Sequence, residues 1–405
     1  MAIIVQKFGG TSVADAHRIH LAARKAVRAK LAGRQVVLVV SAMGHETDRL
    51  VDLAQQVSRK PSKREMDMLL ATGEQVSIAL VAMAIHEAGH EAISMTGAQA
   101  GMLTDESHSR ARIHSIDAPR IHKLLDAGSI VIVAGFQGVT RDFNITTLGR
   151  GGSDTTAVAL AAALKAEVCE IYTDVDGIYT TDPRIVPEAR KLDAISYDEM
   201  LELASLGAGV MHGRSIEIGK KFGVPIHVRS SFTDTQGTMI MAEPRGMEEV
   251  VVRGATLKRD LGRVTFVGLP VHKALPREIF DQVAAQQVLV DDIIQTVYDG
   301  GRKISVAFTV GAADLPTTRN VAEAIRQKYE ADALEVQDDL CKVSIVGVGM
   351  RSHSGVAAKM FDALHAADVP IENVSTSEIV VSALVRREFG EKALQAVHAA
   401  FALDR

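Results

Sequence analysis

The chain has 405 residues and a formal net charge of −5, from 45 Lys or Arg and 50 Asp or Glu. Its 47% of hydrophobic residues excludes a disordered chain, and at about 100–200 residues per domain its length predicts two or more domains. The near-neutral charge argues against nucleic acid or an anionic membrane surface as the main partner, so we expect a small-molecule ligand.

The two cysteines, Cys169 and Cys341, stand far apart in the sequence. They can build neither a disulfide framework nor a four-cysteine zinc site, which favours a reducing compartment. No basic leader precedes the first apolar stretch, and no segment approaches the ~18 uncharged apolar residues of a membrane span. We therefore expect an unprocessed cytoplasmic protein that binds no membrane.

Up to about residue 240, short apolar runs alternate with helical patterns, which predicts an α/β fold whose mostly parallel sheet is covered by helices on both faces. We predict strands at 3–8, 36–41, 130–134 and 168–173, and helices at 14–31, 66–87 and 155–164. In the second helix, Leu69, Val76, Leu80 and Ala84 are expected on one face. In the third, Ser153 or Asp154 is expected to cap the first turn.

A polar stretch at 242–246 carries both Pro and Gly, so we predict a first domain over 1–243. Beyond it a strand-helix-strand-strand-helix order occurs twice, which predicts two small modules over 262–337 and 340–405. The second copy ends without a closing strand. We expect the strand-like run at 249–257 to pair with it, because an open edge leaves unpaired backbone groups.

The first candidate site joins the first strand to the first helix and contains Lys7, Gly9 and Gly10. Adjacent glycines let the backbone approach an anion, helix-start N–H groups point at it, and the lysine adds a full charge. A phosphate group is the natural ligand. A plain Gly-Gly turn beside a surface lysine would have the same residues.

The second candidate site, at 147–154, also leads through glycines into a helix. Arg150 offers a fork for a carboxylate or phosphate, and Asp154 offers an acceptor for an ammonium group. Together they indicate a clamp for an amino acid. A glycine-rich turn with a capping aspartate is the simpler interpretation.

The third candidate site, at 172–184, follows the strand at 168–173 and is rich in acidic residues. Ligands of open α/β sheets bind at the ends of strands, so these side chains could hold a ribose hydroxyl or a metal-bound nucleotide.

One sequence, His86 to His90, matches the H-E-x-x-H pattern of zinc proteases. Gly89 stands where the helix should end, so we expect His90 to lie beyond the helix and to be unable to share a metal with His86.

These stretches, in this order, resemble the aspartate kinases of the amino-acid kinase family. The resemblance rests on K-F-G-G-T-S-V at 7–13, L-G-R-G-G-S-D at 148–154, Y-T-D-V-D-G-I-Y-T-T-D-P-R at 172–184 and the tandem C-terminal modules, which are similar to ACT modules. It spans essentially the whole chain. It implies an amino-acid kinase fold followed by two βαββαβ ACT modules.

The resemblance implies transfer of the ATP γ-phosphoryl group to the side-chain carboxylate of L-aspartate, the first step of lysine, threonine and methionine synthesis. Lys7 and Asp154 would be catalytic, and Mg²⁺ would be held largely by phosphate oxygens and water. The implied nucleotide contacts are Lys7, Gly9, Gly10, Ser41, Thr173, Asp174, Tyr179, Arg184 and Gly209. The implied aspartate contacts are Thr47, Glu74, Arg150, Gly151, Ser153 and Asp154.

The second ACT module keeps the family's effector motifs, which implies lysine or threonine as effectors and a homodimer or larger homo-oligomer. The implied effector contacts are Met350, Ser352, His353, Gly355, Val356, Asn373 and Val374. Two departures affect this reading. Gly209 replaces a lysine of many relatives, and residues 271–274, including Lys273, replace the usual Asp-x-Pro-Gly turn of the first module.

Two other functions fit the same residues. One is a kinase for another small amino-acid carboxylate, which the clamp residues alone cannot reject. The other is an amino-acid-sensing ACT protein with an impaired kinase domain, which Gly209 makes plausible and which Lys7 and Asp154 argue against.

Overall fold

The computed structural model describes residues 1–242, 251–272 and 274–405. These residues form two compact units. The first comprises 1–179, 191–205 and 209–242, and the second comprises 180–190, 206–208, 251–272 and 274–405. The stretch 180–190 therefore packs with the C-terminal part of the chain.

The first unit is built from short strands and seven helices in its described residues. The strands are β1 (Ile3–Phe8), β2 (Gln35–Val40), β3 (Ala92–Met95), β4 (Met102–Thr104), β5 (Ile113–Ile116), β6 (Ile130–Ala134), β7 (Gln137–Val139), β8 (Ile145–Thr147), β9 (Val168–Thr173), β10 (Ala194–Ser196), β11 (Ile226–Ser230) and β12 (Thr238–Met241). The helices are α1 (Ala16–Leu31), α2 (Glu46–Val57), α3 (Lys63–Glu87), α4 (Pro119–Asp126), α5 (Gly152–Ala163), α6 (Tyr197–Ser205) and α7 (Gly213–Phe222).

An eight-stranded sheet in the order β10-β12-β11-β9-β1-β2-β6-β3 forms the centre of this unit, and a four-stranded sheet in the order β5-β4-β7-β8 lies beside α3. From β11 to β3 the strands of the large sheet are parallel, and β12 is antiparallel to β11. Helices α1 and α3 share an apolar core with one face, and α5 contacts β1, β2 and β9. The predicted α/β fold is confirmed, and the strands at 3–8, 130–134 and 168–173 have the predicted bounds.

The apolar face predicted for α3 is not the face that is most deeply buried. Val76 and Leu80 are 51% and 36% exposed, whereas Ile78, Val81 and Ile85 are buried in the core. The helix carries apolar residues around most of its circumference, so the spacing of apolar residues alone could not select the inward face.

Helix α3 also corrects the expectation about membrane segments, because its length and composition would allow a membrane crossing. Within its apolar window 56% of the residues are buried inside the unit, and its inward face carries Asp67 and Glu74. These features are typical of a core helix.

The second unit contains one six-stranded antiparallel sheet, in the order β14-β15-β13-β16-β18-β17 with strands numbered along the chain. Its strands are β13 (Gly254–Pro270), β14 (Val290–Tyr298), β15 (Lys303–Gly311), β16 (Ala333–Val346), β17 (Asn373–Thr376) and β18 (Val380–Arg386). Its helices are α8 (Leu275–Ala285), α9 (Leu315–Tyr329), α10 (Val356–Ala366) and α11 (Gly390–Ala400).

The long strands β13 and β16 run through both repeat copies, where the sequence predicts separate strands. Residues 254–258 of β13 pair with 342–346 of β16, and residues 263–267 pair with 333–337. Each copy nevertheless keeps its own apolar core, around Phe308 in the first and Val343 in the second. The predicted boundary at 242–246, apart from Ala242, lies outside the described residues, as do 249, 250 and Lys273.

Candidate active site

The centre of the candidate site is an ion pair between Lys7 on β1 and Asp154 on α5. Along β1, Ile4 and Phe8 join the core beneath α1 and α3, so Lys7 faces the opposite side of the sheet, where α5 lies. Its Nζ atom is 2.7 Å from Asp154 Oδ1, and each side chain is 11% exposed. Two sequence motifs separated by more than one hundred residues thus meet at one point.

The Gly9-Gly10 turn brings the end of β1 close to the segment after β2. The N–H of Gly44 donates to the carbonyl of Gly10 at 3.0 Å, and a Cβ atom at Gly10 would lie 2.9 Å from the Ala42 carbonyl oxygen. Only glycine permits this approach. Ser41 follows β2, and its N–H donates to the Phe8 carbonyl at 3.1 Å.

Glu74 of α3 is 3% exposed and reaches the same turn. Its Oε1 atom accepts a hydrogen bond from the Ala42 N–H at 3.3 Å, while Oε2 has no hydrogen-bond partner among the described residues. Burial raises the pKa of this carboxyl to about 7. A buried carboxylate oxygen without a partner is suited to receive an ammonium group.

The loop before α5 depends on glycines in the left-handed region. Gly149 and Gly151 have φ angles of +77° and +66°, and a Cβ atom at Gly151 would lie 2.2 Å from His212 Cβ. Gly151 is the N-cap and no side chain caps the helix, so the expected cap by Ser153 or Asp154 is wrong. Both of these residues lie in the first turn of α5, which starts three residues before the predicted bound.

Arg150 lies between these two glycines. It is exposed and forms no ion pair with any residue that the structure describes. Thr47, in the first turn of α2, is half-buried.

The third motif follows β9, next to the end of β1. Thr173 Oγ1 donates to Asp174 Oδ1 at 3.1 Å, and the Tyr179 hydroxyl donates to Asp176 Oδ1 at 2.9 Å. Arg184, however, belongs to the second unit, where its guanidinium lies 2.7 Å from Asp182.

Gly209 belongs to the first unit and is exposed, and no atom lies within 4 Å of a Cβ built on it.

The structure therefore gathers most of the predicted residues at the carboxyl ends of β1, β2 and β9. It also adds residues that the sequence patterns did not indicate. Phe136 has a φ of +69°, Asp67 is fully buried, and Arg214 holds two backbone carbonyls. In the sequence, the one signal for these three residues was Asp67, an acidic residue on a largely apolar helix.

A metal site built from protein ligands is not found in the described residues, where no three His, Cys, Asp or Glu side chains are grouped for it.

The helix end predicted within the H-E-x-x-H sequence is confirmed. Helix α3 ends at Glu87, Gly89 has a φ of +79°, and His86 Nε2 contacts the Ala92 carbonyl oxygen at 2.9 Å.

A cavity of about 290 Å³ lies on the α1 side of the sheet, and Tyr172 is the one residue of the three candidate motifs among its lining residues. Gln6, Lys25 and Asp234 are among its lining residues. Since Gln6 and Lys7 are adjacent on β1, they face opposite sides of the sheet. The acidic groups here are paired, for example Asp234 with Lys25 at 3.0 Å, whereas Glu74 Oε2 near the glycine turn has no hydrogen-bond partner among the described residues.

The expected effector residues of the second unit surround the start of α10 and the strand β17. Gly355, with a φ of +88°, is the N-cap of α10, and His353 is exposed with Nδ1 2.8 Å from the Gly349 carbonyl oxygen. Asn373 begins β17, and Val374 is 40% exposed.

Comparison with known proteins agrees with this fold. Residues 2–230 match the amino acid kinase family, and residues 343–401 match an ACT domain. The chain is 52% identical to an aspartokinase of Geobacillus stearothermophilus over 403 residues, covering 100% of this chain and 98% of the relative. An aspartokinase 2 of Bacillus subtilis is also 52% identical, over 405 residues, with 100% and 99% coverage.

A solved structure with a similar fold is E. coli aspartokinase III in complex with aspartate and ADP. It has a TM-score of 0.83 and 26% identity, and the match covers 98% of this chain and 99% of that one. The chain therefore belongs to the amino acid kinase family, within which it is one of the aspartokinases. It is an ATP-dependent kinase with a C-terminal ACT region.

We expect Gly151→Ala to destabilise the first unit by about 1–3 kcal/mol, because alanine is strained at positive φ and its methyl group would overlap His212. Gly209→Ala is the matched control, since the space around Gly209 is open, and it should change stability by less than about 0.5 kcal/mol. Thermal unfolding of both variants checks this. Equal unfolding temperatures would contradict the assigned loop geometry.

Proposed function

We propose that this chain catalyses the aspartate kinase reaction, in which ATP and L-aspartate give ADP and 4-phospho-L-aspartate, the entry to lysine, threonine and methionine synthesis. The observation that carries the proposal is the grouping of Lys7, Asp154 and the half-unpaired carboxylate of Glu74 beside the Gly9-Gly10 turn. This grouping offers a lysine for phosphate and two carboxyl groups for an ammonium group.

The reaction needs no general base. The side-chain carboxylate of aspartate has an ordinary pKa of about 3.9, so it is ionised at neutral pH and can attack the γ-phosphorus directly. A new bond forms from this oxygen to phosphorus as the bond to the leaving ADP oxygen breaks. Catalysis then consists of positioning the reactants and neutralising charge on the transferred group.

In this mechanism Lys7 stabilises the migrating phosphoryl group, and Asp154 holds the lysine ammonium group at the end of β1. The Gly10 N–H is proposed to donate to the nucleotide phosphates, whereas the Gly9 N–H donates to the Tyr172 carbonyl at 3.4 Å. Other proposed nucleotide contacts, all in the first unit, are Ser41, Thr173, Asp174, Tyr179 and Gly209.

The acceptor amino acid is proposed to bind with its α-carboxylate on Arg150 and its α-ammonium group near Glu74 and Asp154. The absence of an ion pair at Arg150 among the described residues supports this role, as does the buried Oε2 atom of Glu74. Thr47, Gly151 and Ser153 complete the proposed aspartate site.

Mg²⁺ is the proposed cofactor, and it would neutralise phosphate charge when bound. No set of three protein ligands for a cation occurs in the described part of the chain, so the ion would be held largely by phosphate oxygens and water.

The alternative of a kinase for another small amino-acid carboxylate is tested by trapping the acyl phosphate. The purified protein is incubated with ATP, Mg²⁺ and hydroxylamine, with aspartate, glutamate or N-acetylglutamate as acceptor. We expect hydroxamate from aspartate alone. Product from another acceptor would reassign the substrate, and no product from any acceptor would favour a sensor with an inactive kinase domain.

Lys7→Ala should lower kcat by about 100-fold or more, because it removes a charge that stabilises the transition state. Arg150→Ala should chiefly raise KM for aspartate, by about 10–100-fold. Lys25→Ala is the matched control for Lys7, since Lys25 is 12% exposed, is paired with Asp234 and lies on the other face of the sheet. Near-normal turnover in the Lys7 variant would contradict the assignment.

The raised pKa of Glu74 predicts a pH dependence of aspartate binding. Below pH 7 this carboxyl is protonated and cannot pair with the substrate ammonium group, so KM for aspartate should fall about tenfold as pH rises from 6 to 8. In Glu74→Gln, KM should be high and nearly independent of pH over this range. A pH-independent KM in the unmodified enzyme would remove Glu74 from the aspartate site.

We propose that the ACT region binds lysine or threonine as feedback effectors, through Met350, Ser352, His353, Gly355, Val356, Asn373 and Val374. Free backbone N–H groups at the start of α10 suit an effector carboxylate. The solved E. coli aspartokinase III in complex with lysine and aspartate, 26% identical with a TM-score of 0.78, supports this role. Assays with lysine, threonine and both together identify the effector.

We also propose a cytoplasmic homodimer or larger homo-oligomer, assembled through the ACT region. Strand β14 is an edge strand of the described six-stranded sheet, and its Ile293 and Val297 are 54% and 56% exposed. Exposed apolar side chains on a sheet edge favour pairing with another chain.

Ile293→Glu is therefore expected to shift the protein towards the monomer, because a charge would have to be buried in the interface. Val271→Glu, at a residue 53% exposed outside the strands, is the control and should leave the assembly unchanged. Light scattering after size exclusion measures the mass. A mass that is the same for both variants would place the interface elsewhere.

A further inference from the structure

The loop that carries Arg150 is held in place by two charged side chains for which the proposed mechanism gives no role. The first is Asp67, on the inward face of α3, which is fully buried. Its Oδ1 atom accepts a hydrogen bond from the Thr147 hydroxyl at 2.5 Å and its Oδ2 atom lies 2.7 Å from His108 Nδ1. The Ser109 N–H donates to both oxygens at 3.1 and 3.0 Å. Because Thr147 ends β8, this carboxylate fixes the chain just before the loop.

The second is Arg214, in the first turn of α7. Its Nη1 atom donates to the Leu148 carbonyl at 2.9 Å and its Nη2 atom donates to the Ala111 carbonyl at 2.7 Å. Among the described residues it forms no ion pair with a carboxylate. The guanidinium therefore links two backbone segments through a planar pair of hydrogen bonds.

Both side chains connect the Arg150 loop to the same neighbouring segment, residues 108–111. The Ala111 N–H donates to the Thr147 carbonyl at 2.9 Å, and a Cβ atom at Gly149 would lie 3.0 Å from the Ser109 carbonyl oxygen. The segment thus lies directly against the loop, and Asp67 and Arg214 hold the two together.

These contacts matter because the residues of the loop restrain its backbone conformation only weakly. Glycines on both sides of Arg150 have positive φ angles and few intrinsic restraints, and the arginine side chain is exposed. Without external contacts, ordering the loop would have to accompany binding of the amino acid and would weaken it.

We propose that Asp67 and Arg214 are positioning residues for the acceptor amino acid, acting through Arg150. They fix the backbone of the 148–151 loop, so that the Arg150 guanidinium is already placed for the substrate α-carboxylate. The proposal rests on the proposed function, and it predicts an effect on aspartate binding that ATP binding does not share.

Steady-state kinetics of matched variants test it. Thr147→Val removes the hydroxyl that Asp67 binds without changing the volume, and Arg214→Lys cannot make both hydrogen bonds. Each should raise KM for aspartate about tenfold and change KM for ATP less than twofold. Thr147→Ser keeps the hydroxyl and should stay close to the unmodified enzyme.

A double-mutant cycle separates positioning from general stability. In an Arg150→Ala background, Thr147→Val should produce no further change in KM for aspartate, because the group it positions is gone. Equal effects of Thr147→Val with and without Arg150, a proportional rise in KM for ATP, or a lowered unfolding temperature with unchanged KM would each overturn the proposal.

Hydroxamate assays of the unmodified enzyme distinguish failure of the proposed function from failure of this inference. Absence of product from aspartate would reject the proposed function and this inference with it, whereas an active enzyme with unaffected variants would reject the inference alone.

Discussion

The ion pair between Lys7 and Asp154 is the contact on which the candidate site depends. It forms because β1 is a central strand of a parallel sheet and α5 crosses the face that Lys7 points to. Burial places both groups in a medium less polar than water, which strengthens their attraction. Removing either partner would leave the other as an unpaired buried charge, which is energetically unfavourable. The same position lies beside the glycine turn, so the charged groups and the closely approaching backbone meet at the strand ends, where ligands of open α/β sheets bind.

Around this ion pair, glycines allow backbone segments to approach closely, and buried carboxylates form hydrogen bonds with those segments. Gly10 and Gly151 occupy positions where a methyl group would overlap the backbone or His212. Glu74 and Asp67 lie on one face of α3, seven residues apart, yet their surroundings give them different properties. Asp67 is saturated with hydrogen bonds, which suits a structural contact, whereas Glu74 keeps one oxygen unpaired and has a raised pKa, which suits a ligand contact.

The second unit joins its two repeats through shared strands. Because β13 and β16 each serve both copies, the two copies share continuous backbone. The stretch 180–190 packs in this unit as well. Its Thr180 hydroxyl lies 3.1 Å from His398 Nε2, and its Val186 joins the core of the second copy. This stretch follows Tyr179, one of the proposed nucleotide contacts, directly in the chain.

The sequence by itself determined the alternation of strands and helices, the repeat and the motifs, because these depend on local periodicity and on residue types at fixed spacing. It therefore predicted the parallel strands 3–8, 130–134 and 168–173 and named Lys7 and Asp154, whereas Glu74 was implied only by the resemblance to the aspartate kinases. Only the tertiary structure decided which face of α3 is buried, that Gly151 rather than Ser153 caps α5, that the repeats share β13 and β16, and that Asp67 and Arg214 hold the Arg150 loop. Each of these depends on contacts between residues distant in the chain, and spacing along a sequence carries no information about which distant partner a side chain meets.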